Sequence, residues 1–191
     1  MFTPFLVGRK ASLRAVLEED LPIMCSWMND PQVNAFLSHA DAPLPLSHEK
    51  DWYQRYLLQL KERSSVGFAI CEKETGKLLG STALMSINRN DRRAKTGTVI
   101  GEKDFWGRGF GTEAKMLLLN YAFNTLNLRK IDSEVFLFNE RSIRTQLRCG
   151  YKEQGRFPQH IFKNGQYVDM VSLTVFKEDW QPLWGRFMAE W

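Results

Sequence analysis

Residues 106–114 read Trp-Gly-Arg-Gly-Phe-Gly-Thr-Glu-Ala, with Gly107, Gly109 and Gly111 at alternate positions just before an amphipathic segment. Glycines at that spacing let backbone N–H groups come close to a ligand. The helix start that follows adds unpaired amides and a dipole that favours negative charge. Arg108 and Lys115 add formal positive charge nearby. The chemistry implied is capture of an anion, a pyrophosphate above all. A P-loop would need Gly-x-x-x-x-Gly-Lys-Ser/Thr, and no such string occurs. A dinucleotide fingerprint needs Gly-x-Gly-x-x-Gly near the first strand of a parallel array. Here the spacing is Gly-x-Gly-x-Gly and the loop lies beyond mid-chain. On spacing alone, a tight turn that holds nothing stays open.

The elements that must position this loop follow from hydrophobic period. Over 9–16, Ala11, Leu13 and Ala15 alternate with Lys10, Ser12 and Arg14, which predicts a half-buried strand. Asp20 is predicted to cap a helix carrying Leu21, Met24, Cys25 and Met28, closed by Asn29-Asp30-Pro31. Residues 37–47 hold two prolines and read as a loop. Ser47 is then expected to cap a helix with Tyr53, Tyr56, Leu57 and Leu60 on one face. Strands follow over 65–73, 77–87 and about 94–101. After the glycine loop, Ala114, Leu117, Leu118, Tyr121, Ala122 and Thr125 share a helical face. A strand over 130–138, a short helix over 139–150 and a hairpin about Asn164-Gly165 complete the core, and an aromatic tail is read as a short helix. The order predicts one α+β domain over 1–191. Its sheet is mixed but largely antiparallel, with a local parallel pair across a right-handed crossover at 94–138.

The bulk numbers bound the function. Of 191 residues, 43% are apolar and 25% charged, ordinary for a globular chain, and no apolar run approaches the ~20 residues of a membrane span. The first sixteen residues lack the pattern of a signal peptide. Cys25, Cys71 and Cys149 are odd in number and without metal-type spacing, so they are read as free thiols in a reducing cytoplasm. His39 and His48 have no third ligand at metal spacing, so no metal is expected. A net charge of +4 suits a small anionic ligand, and no basic run argues for nucleic acid.

Phe-Trp-Gly-Arg-Gly-Phe-Gly-Thr-Glu-Ala (105–114), followed by a helix and then by Phe-Asn-Glu-Arg-Ser-Ile-Arg at 138–144 and Gly150-Tyr151, resembles the GNAT superfamily of acetyl-CoA-dependent N-acetyltransferases. Within it, the chain is similar to the branch that includes ribosomal-protein N-terminal and spermidine acetyltransferases, over nearly its whole length. The resemblance implies a splayed, mostly antiparallel sheet flanked by helices, with acetyl-CoA as cosubstrate. It assigns the coenzyme A pyrophosphate to the amides of Arg108, Gly109, Phe110, Gly111 and Thr112. It assigns the pantetheine arm and the acetyl carbonyl to Val99, Ile100 and Gly101. Asn139 resembles the side chain that binds pantetheine, although an Asn there also reads as an N-cap. Ser142, Arg144 and Arg148 lie on or beside the same helix, where an arginine would meet the adenosine phosphates. Trp106 stands where the family usually has Gln or Arg.

Two expected proton-transfer positions are not filled by the usual residues. Counting back from the loop places the strand glutamate of many relatives at Lys95, and their tyrosine falls at Gln146. Replacement candidates are Glu102 at the strand end and Glu134 on the next strand, whose neighbour Asp132 shares its side. His160 and Tyr167 on the final hairpin are further candidates. An amine of lowered pKa with water as relay would need no dedicated base. The acceptor is expected to meet the segment over 28–56, whose aromatics include Phe36, Trp52, Tyr53 and Tyr56. The function implied is acetyl transfer to a primary amine (a protein N-terminus, a polyamine or a small amine) by direct attack in a ternary complex. The alternative is a non-catalytic acyl-CoA-binding or regulatory module on the same fold. The tail tryptophans Trp180, Trp184 and Trp191 leave a homodimer open.

Overall fold

Alternating and continuous apolar runs become eight strands of one sheet in the computed structural model, which describes residues 3–38 and 42–189. In chain order they are β1 (Leu6–Val7), β2 (Ala11–Ala15), β3 (Val66–Glu72), β4 (Leu78–Asn88), β5 (Arg93–Ile100), β6 (Lys130–Phe136), β7 (Lys152–Lys163) and β8 (Gln166–Phe176). The helices are α1 (Leu21–Asn29), α2 (Pro31–Asn34), α3 (Leu46–Lys61), α4 (Phe110–Asn120), α5 (Glu140–Arg148) and α6 (Lys177–Ala189). The strand order is β1-β2-β3-β4-β5-β6-β8-β7. Every neighbouring pair is antiparallel except β5 and β6, which are parallel and joined through α4.

That exception positions the site. β5 and β6 pair only at Arg93↔Lys130, Ala94↔Ile131 and Lys95↔Asp132. Beyond Lys95 the two strands part: β5 runs on beside β4 to Ile100, and β6 runs on beside β8 to Phe136. The sheet is therefore forked, with a free strand edge on each side of the opening.

Helices fill both faces. Leu117, Leu118 and Leu119 of α4 pack with Leu13, Ile70, Ile131, Leu173 and Trp180 in the larger cluster. Leu21, Met24 and Trp27 of α1 and Tyr56 of α3 pack on Ala69, Cys71 and Leu78 on the opposite face. Trp180 is fully buried and lies 5.2 Å, centroid to centroid, from Phe123, so this part of the tail belongs to the core. Trp191 lies outside the described residues.

Several local expectations are revised. Arg14 is buried, contrary to strict alternation, because its guanidinium makes two bonds of 2.7 and 2.8 Å to the Asp20 carboxylate. Asp20 therefore makes no side-chain cap to α1. Ser47 lies inside α3, which begins one residue earlier behind Pro45. The Asn29-Asp30-Pro31 stretch ends α1 and also starts α2, where Asp30 caps the Gln32 amide at 2.8 Å. The face read through Thr125 is α4 followed by one wider turn, Tyr121–Thr125. Asn164 and Gly165 both have positive φ, as a tight hairpin turn between β7 and β8 requires.

Candidate active site

The fork opens into a cleft of about 620 Å³ lined by the free part of β5, the start of α4, the open edge of β6 and α5. Of the residues singled out in the sequence, Val99, Ile100, Gly109, Phe110, Gly111, Thr112, Glu134, Asn139, Ser142 and Arg144 line it. Gly101, Glu102 and Arg108 do not.

The β5 edge carries unpaired peptide groups. The Gly101 N–H donates to the Leu79 carbonyl at 2.9 Å, and peptide groups alternate sides along a strand, so Val99 also turns its polar groups to β4. Thr96, Thr98 and Ile100 face the other way. The Thr96 carbonyl accepts from Ser133 Oγ on β6 at 3.4 Å, and the Ile100 carbonyl accepts the Trp106 indole N–H at 2.6 Å. Between them, the Thr98 peptide faces the gap where β5 has no strand partner. The peptide groups turned toward the opening are thus those of Thr98 and Ile100 and not those of Val99 and Gly101, and Gly101 packs under the Trp27 ring.

The glycine loop ends in a helix start with exposed donors. Gly109 sits at φ 85°, ψ 0°, a left-handed conformation that favours glycine, and no side chain caps α4. The Gly109 carbonyl accepts from the Glu113 amide at 3.0 Å. The amides of Phe110, Gly111 and Thr112, the first three of the helix, thus have no intrahelical partner. A Cβ at Gly111 would meet only Ile100 Cγ1 at 3.6 Å, an ordinary contact. Packing does not require glycine there; its bareness keeps the loop mouth open.

The β1–β2 turn holds the loop in place. Glu113 Oε1, buried, accepts the Lys10 and Ala11 amides at 2.9 Å each, and Lys10 Nζ donates to the Arg108 carbonyl at 2.6 Å. The Arg108 guanidinium lies over Phe105, 5.4 Å from its centroid, and so is held away from the cleft.

On the opposite wall, Asn139 does cap α5: its Oδ1 accepts the Ser142 amide at 3.1 Å. That leaves the side-chain NH₂ as a donor at the cleft. Arg144 is exposed and pairs with Glu140 at 2.8 Å. Arg141, not foreseen in the sequence, stacks its guanidinium 3.9 Å above the Trp106 ring and 5.4 Å from Phe36. Trp106 and Arg141 together bridge the two sides of the mouth.

The carboxylates sort differently. Glu102 lies outside the cleft and is engaged elsewhere. Its Oε2 pairs with Lys77 at 2.6 Å and its Oε1 accepts the Trp27 indole N–H at 3.1 Å. The Lys77 hydrogen bond, helped by Trp27, holds its carboxyl below the usual range against the opposing effect of burial. Glu134 does line the cleft, half-exposed, with Oε1 2.8 Å from Lys95 Nζ. Asp132 is taken by Thr174 and Lys130. His160 lies tilted against Phe157 and Tyr167 meets Phe162 edge to face along the exposed hairpin, and both stay out of the cleft. Among the described residues no three His, Cys, Asp or Glu side chains gather as a metal site, and no helix is long and apolar enough to cross a membrane. His39 lies outside the described residues, and the three cysteines are buried free thiols.

A row of helix-start amides, an unpaired strand edge and the Asn139 donor fit a long, amide-bearing ligand with a pyrophosphate at one end. Comparison with known proteins agrees. Residues 11–152 match the family model of the acetyltransferase (GNAT) domain. The uncharacterized N-acetyltransferase p20 of Bacillus licheniformis is 26% identical across 92% of this chain and 97% of its own length. The spermidine N(1)-acetyltransferase of Escherichia coli K12 is 27% identical across 86% and 79%. The crystal structure of spermidine N-acetyltransferase from Vibrio cholerae, in complex with CoA and spermine, shares the fold. Its TM-score is 0.81, with 22% identity, covering 91% of this chain and 99% of that one. The forked sheet with its glycine loop is a GNAT fold, and this chain belongs to the GNAT acetyltransferase family as an acetyl-CoA-dependent N-acetyltransferase.

Proposed function

We propose that the protein transfers the acetyl group of acetyl-CoA to a primary amine by direct attack within a ternary complex. The observation that carries this reading is the fork between β5 and β6, whose free edge and loop amides meet in one cleft. When bound, acetyl-CoA supplies the acetyl group already activated as a thioester. The amides of Phe110, Gly111 and Thr112 hold its pyrophosphate, and Arg144 and Arg148 lie on the helix across the cleft from them. Thr98 and Ile100 present the strand edge to the pantetheine arm, and the Asn139 side-chain NH₂ donates from the other side. The Thr98 N–H is placed to stabilise negative charge developing on a carbonyl oxygen. Glu134 is the carboxylate that lines the cleft and the candidate base, directly or through water.

The lining also bears on the acceptor. Met28, Val33, Phe36, Leu37, Phe136 and Met170 supply apolar wall. Of the charged residues there, Lys115, Arg141, Arg144 and Arg148 are cationic, and Glu134 alone is acidic and already paired with Lys95. Arg144 and Arg148 answer the cofactor's phosphates, and the one carboxylate there is already paired, so a polycation such as a polyamine would find no free counter-charge. A monoamine with an apolar body, or the N-terminus of a peptide with an apolar first residue, suits these walls. A panel of spermidine, 2-phenylethylamine and a short apolar peptide, read as free thiol released from acetyl-CoA, tests this. The expected result is amine-dependent release with kcat/KM lowest for spermidine. Spermidine as the best acceptor would overturn the acceptor reading, and release indifferent to every amine would overturn the transfer itself.

A further inference from the structure

Lys115 lies in the second turn of α4, in a stretch where every residue from Glu113 to Leu119 is buried. Its side chain is 3% exposed and lines the cleft together with Thr96, Ser133 and Gln146. The ammonium makes one hydrogen bond, to Thr96 Oγ1 at 3.2 Å, and lies 5.9 Å from the Tyr151 ring centroid.

The groups packed around it do not supply a counter-charge. From the end of α5 comes Cys149, whose thiol burial pushes up to about 12. Tyr151 follows, and burial holds its hydroxyl well above the ordinary value. Both stay neutral near pH 7. Arg148 adds a further positive charge at the end of α5. On β5 and β6, Lys95 and Glu134 pair with each other, and Asp132 is held by Thr174 and Lys130. Glu113, on the same helix, turns to the Lys10 and Ala11 amides. Among the described residues no carboxylate contacts Lys115, and burial lowers it to about 8. Two more buried atoms in this cluster, Gln146 Oε1 and the Tyr151 hydroxyl, have no hydrogen-bond partner.

A buried cation without an anion is costly in isolation, and the cost is offset when an anion enters beside it. Acetyl transfer creates one: the sulfur that loses the acetyl group. We propose that Lys115 is the acid that protonates this leaving sulfur, in place of the tyrosine that the family resemblance expects at position 146. The acceptor nitrogen bonds to the acetyl carbon, and the carbon–sulfur bond breaks with its electron pair on sulfur. Lys115 gives that sulfur its ammonium proton. The proton shed by the acceptor nitrogen, taken up first by Glu134, then returns to restore the ammonium, so one amine and one thioester become one amide and one thiol. Thr96 orients the ammonium through its hydroxyl. The inference rests on the acetyltransferase reading above.

The test uses free CoA as probe, followed by its ultraviolet thiolate absorbance across pH 6 to 10 when bound to the wild-type protein and to Lys115→Met. The substitution keeps the length of the side chain and removes the charge. The wild-type protein is expected to lower the bound thiol pKa by about one unit or more relative to Lys115→Met, as a cation within contact range does. In turnover, with the fastest acceptor of the amine panel, Lys115→Met is expected to lose about 100-fold in kcat. It should also lose the fall in rate as pH rises through about 8. Coincident thiol titrations in the two proteins, with CoA bound equally by both, would overturn the proposal and leave the cofactor reading standing. A wild-type protein that binds no CoA would overturn both.

Discussion

Gly111 and Lys115 show how much single residues in the first turns of α4 decide. At Gly111 the protein itself would accept a methyl group, since the nearest atom to a Cβ is 3.6 Å away, and alanine favours a helix over glycine by roughly 0.5–1 kcal/mol. Gly111→Ala should therefore leave the melting temperature unchanged or raised while weakening acetyl-CoA binding at least tenfold by calorimetry. Equal affinity in the two proteins would remove the argument that the bare backbone serves the ligand. Lys115 makes a prediction about stability. Its folded pKa of about 8 lies below its ordinary value of 10.5, so below pH 8 the native state must hold a buried ammonium. That gap is worth about 3 kcal/mol. Between pH 8 and 10.5 the unfolded chain binds a proton that the native state does not, so wild-type stability rises there. Lys115→Met should accordingly melt roughly 5 °C or more above wild type at pH 7, with the advantage shrinking as pH climbs toward 10.5. A variant that melts lower than wild type at pH 7 would show that the charge is compensated.

At the scale of elements, the strands and main helices were legible because each buries one face or both at a regular period. β5, α4 and the β7–β8 hairpin lie close to where their apolar spacing and turn residues put them. What local pattern could not supply is the set of bonds between distant segments. β1 is two residues long and has no period to read. Asp20 has the residue type of a cap but serves Arg14, six residues back, a preference that residue type alone does not show. Glu113 reads as an ordinary acidic residue in a first helical turn, yet it fixes the β1–β2 turn more than a hundred residues away in the chain. Glu113→Ala would leave the Lys10 and Ala11 amides without their acceptor, at a cost of about 2 kcal/mol. Thermal melting should show a loss of roughly 5 °C, and calorimetry a weaker acetyl-CoA site, because the loop loses its support. Glu113→Gln, which keeps a carbonyl acceptor, should recover part of both losses. A melt of Glu113→Ala superimposable on wild type would show that the turn holds the loop without this carboxylate.

At the scale of the whole molecule, a single irregularity does most to make the site. Seven strand pairings build one sheet, and the one parallel pairing stops after three residues. The sequence revealed the glycine loop and Asn139 because residue type and order carry them. Of the two carboxylates it offered, Glu134 lines the cleft, whereas Glu102 is tied by Lys77 and Trp27, which lie 25 and 75 positions back along the chain. The sequence left Lys115 off the buried face, because α4 is enclosed on all sides and its face is not a single stripe. The Trp106–Arg141 stack has no local signal, since its partners come from the glycine loop and from α5. The central claim is that the fork and its loop hold acetyl-CoA. Calorimetric titration of the wild-type protein and of Gly109→Asp with acetyl-CoA tests it most directly. Aspartate at that left-handed position would strain the loop and set a negative charge at the helix start. The account predicts saturable one-to-one binding by the wild-type protein and none measurable by Gly109→Asp over the same range. No binding by the wild-type protein, or equal binding by both, would contradict it.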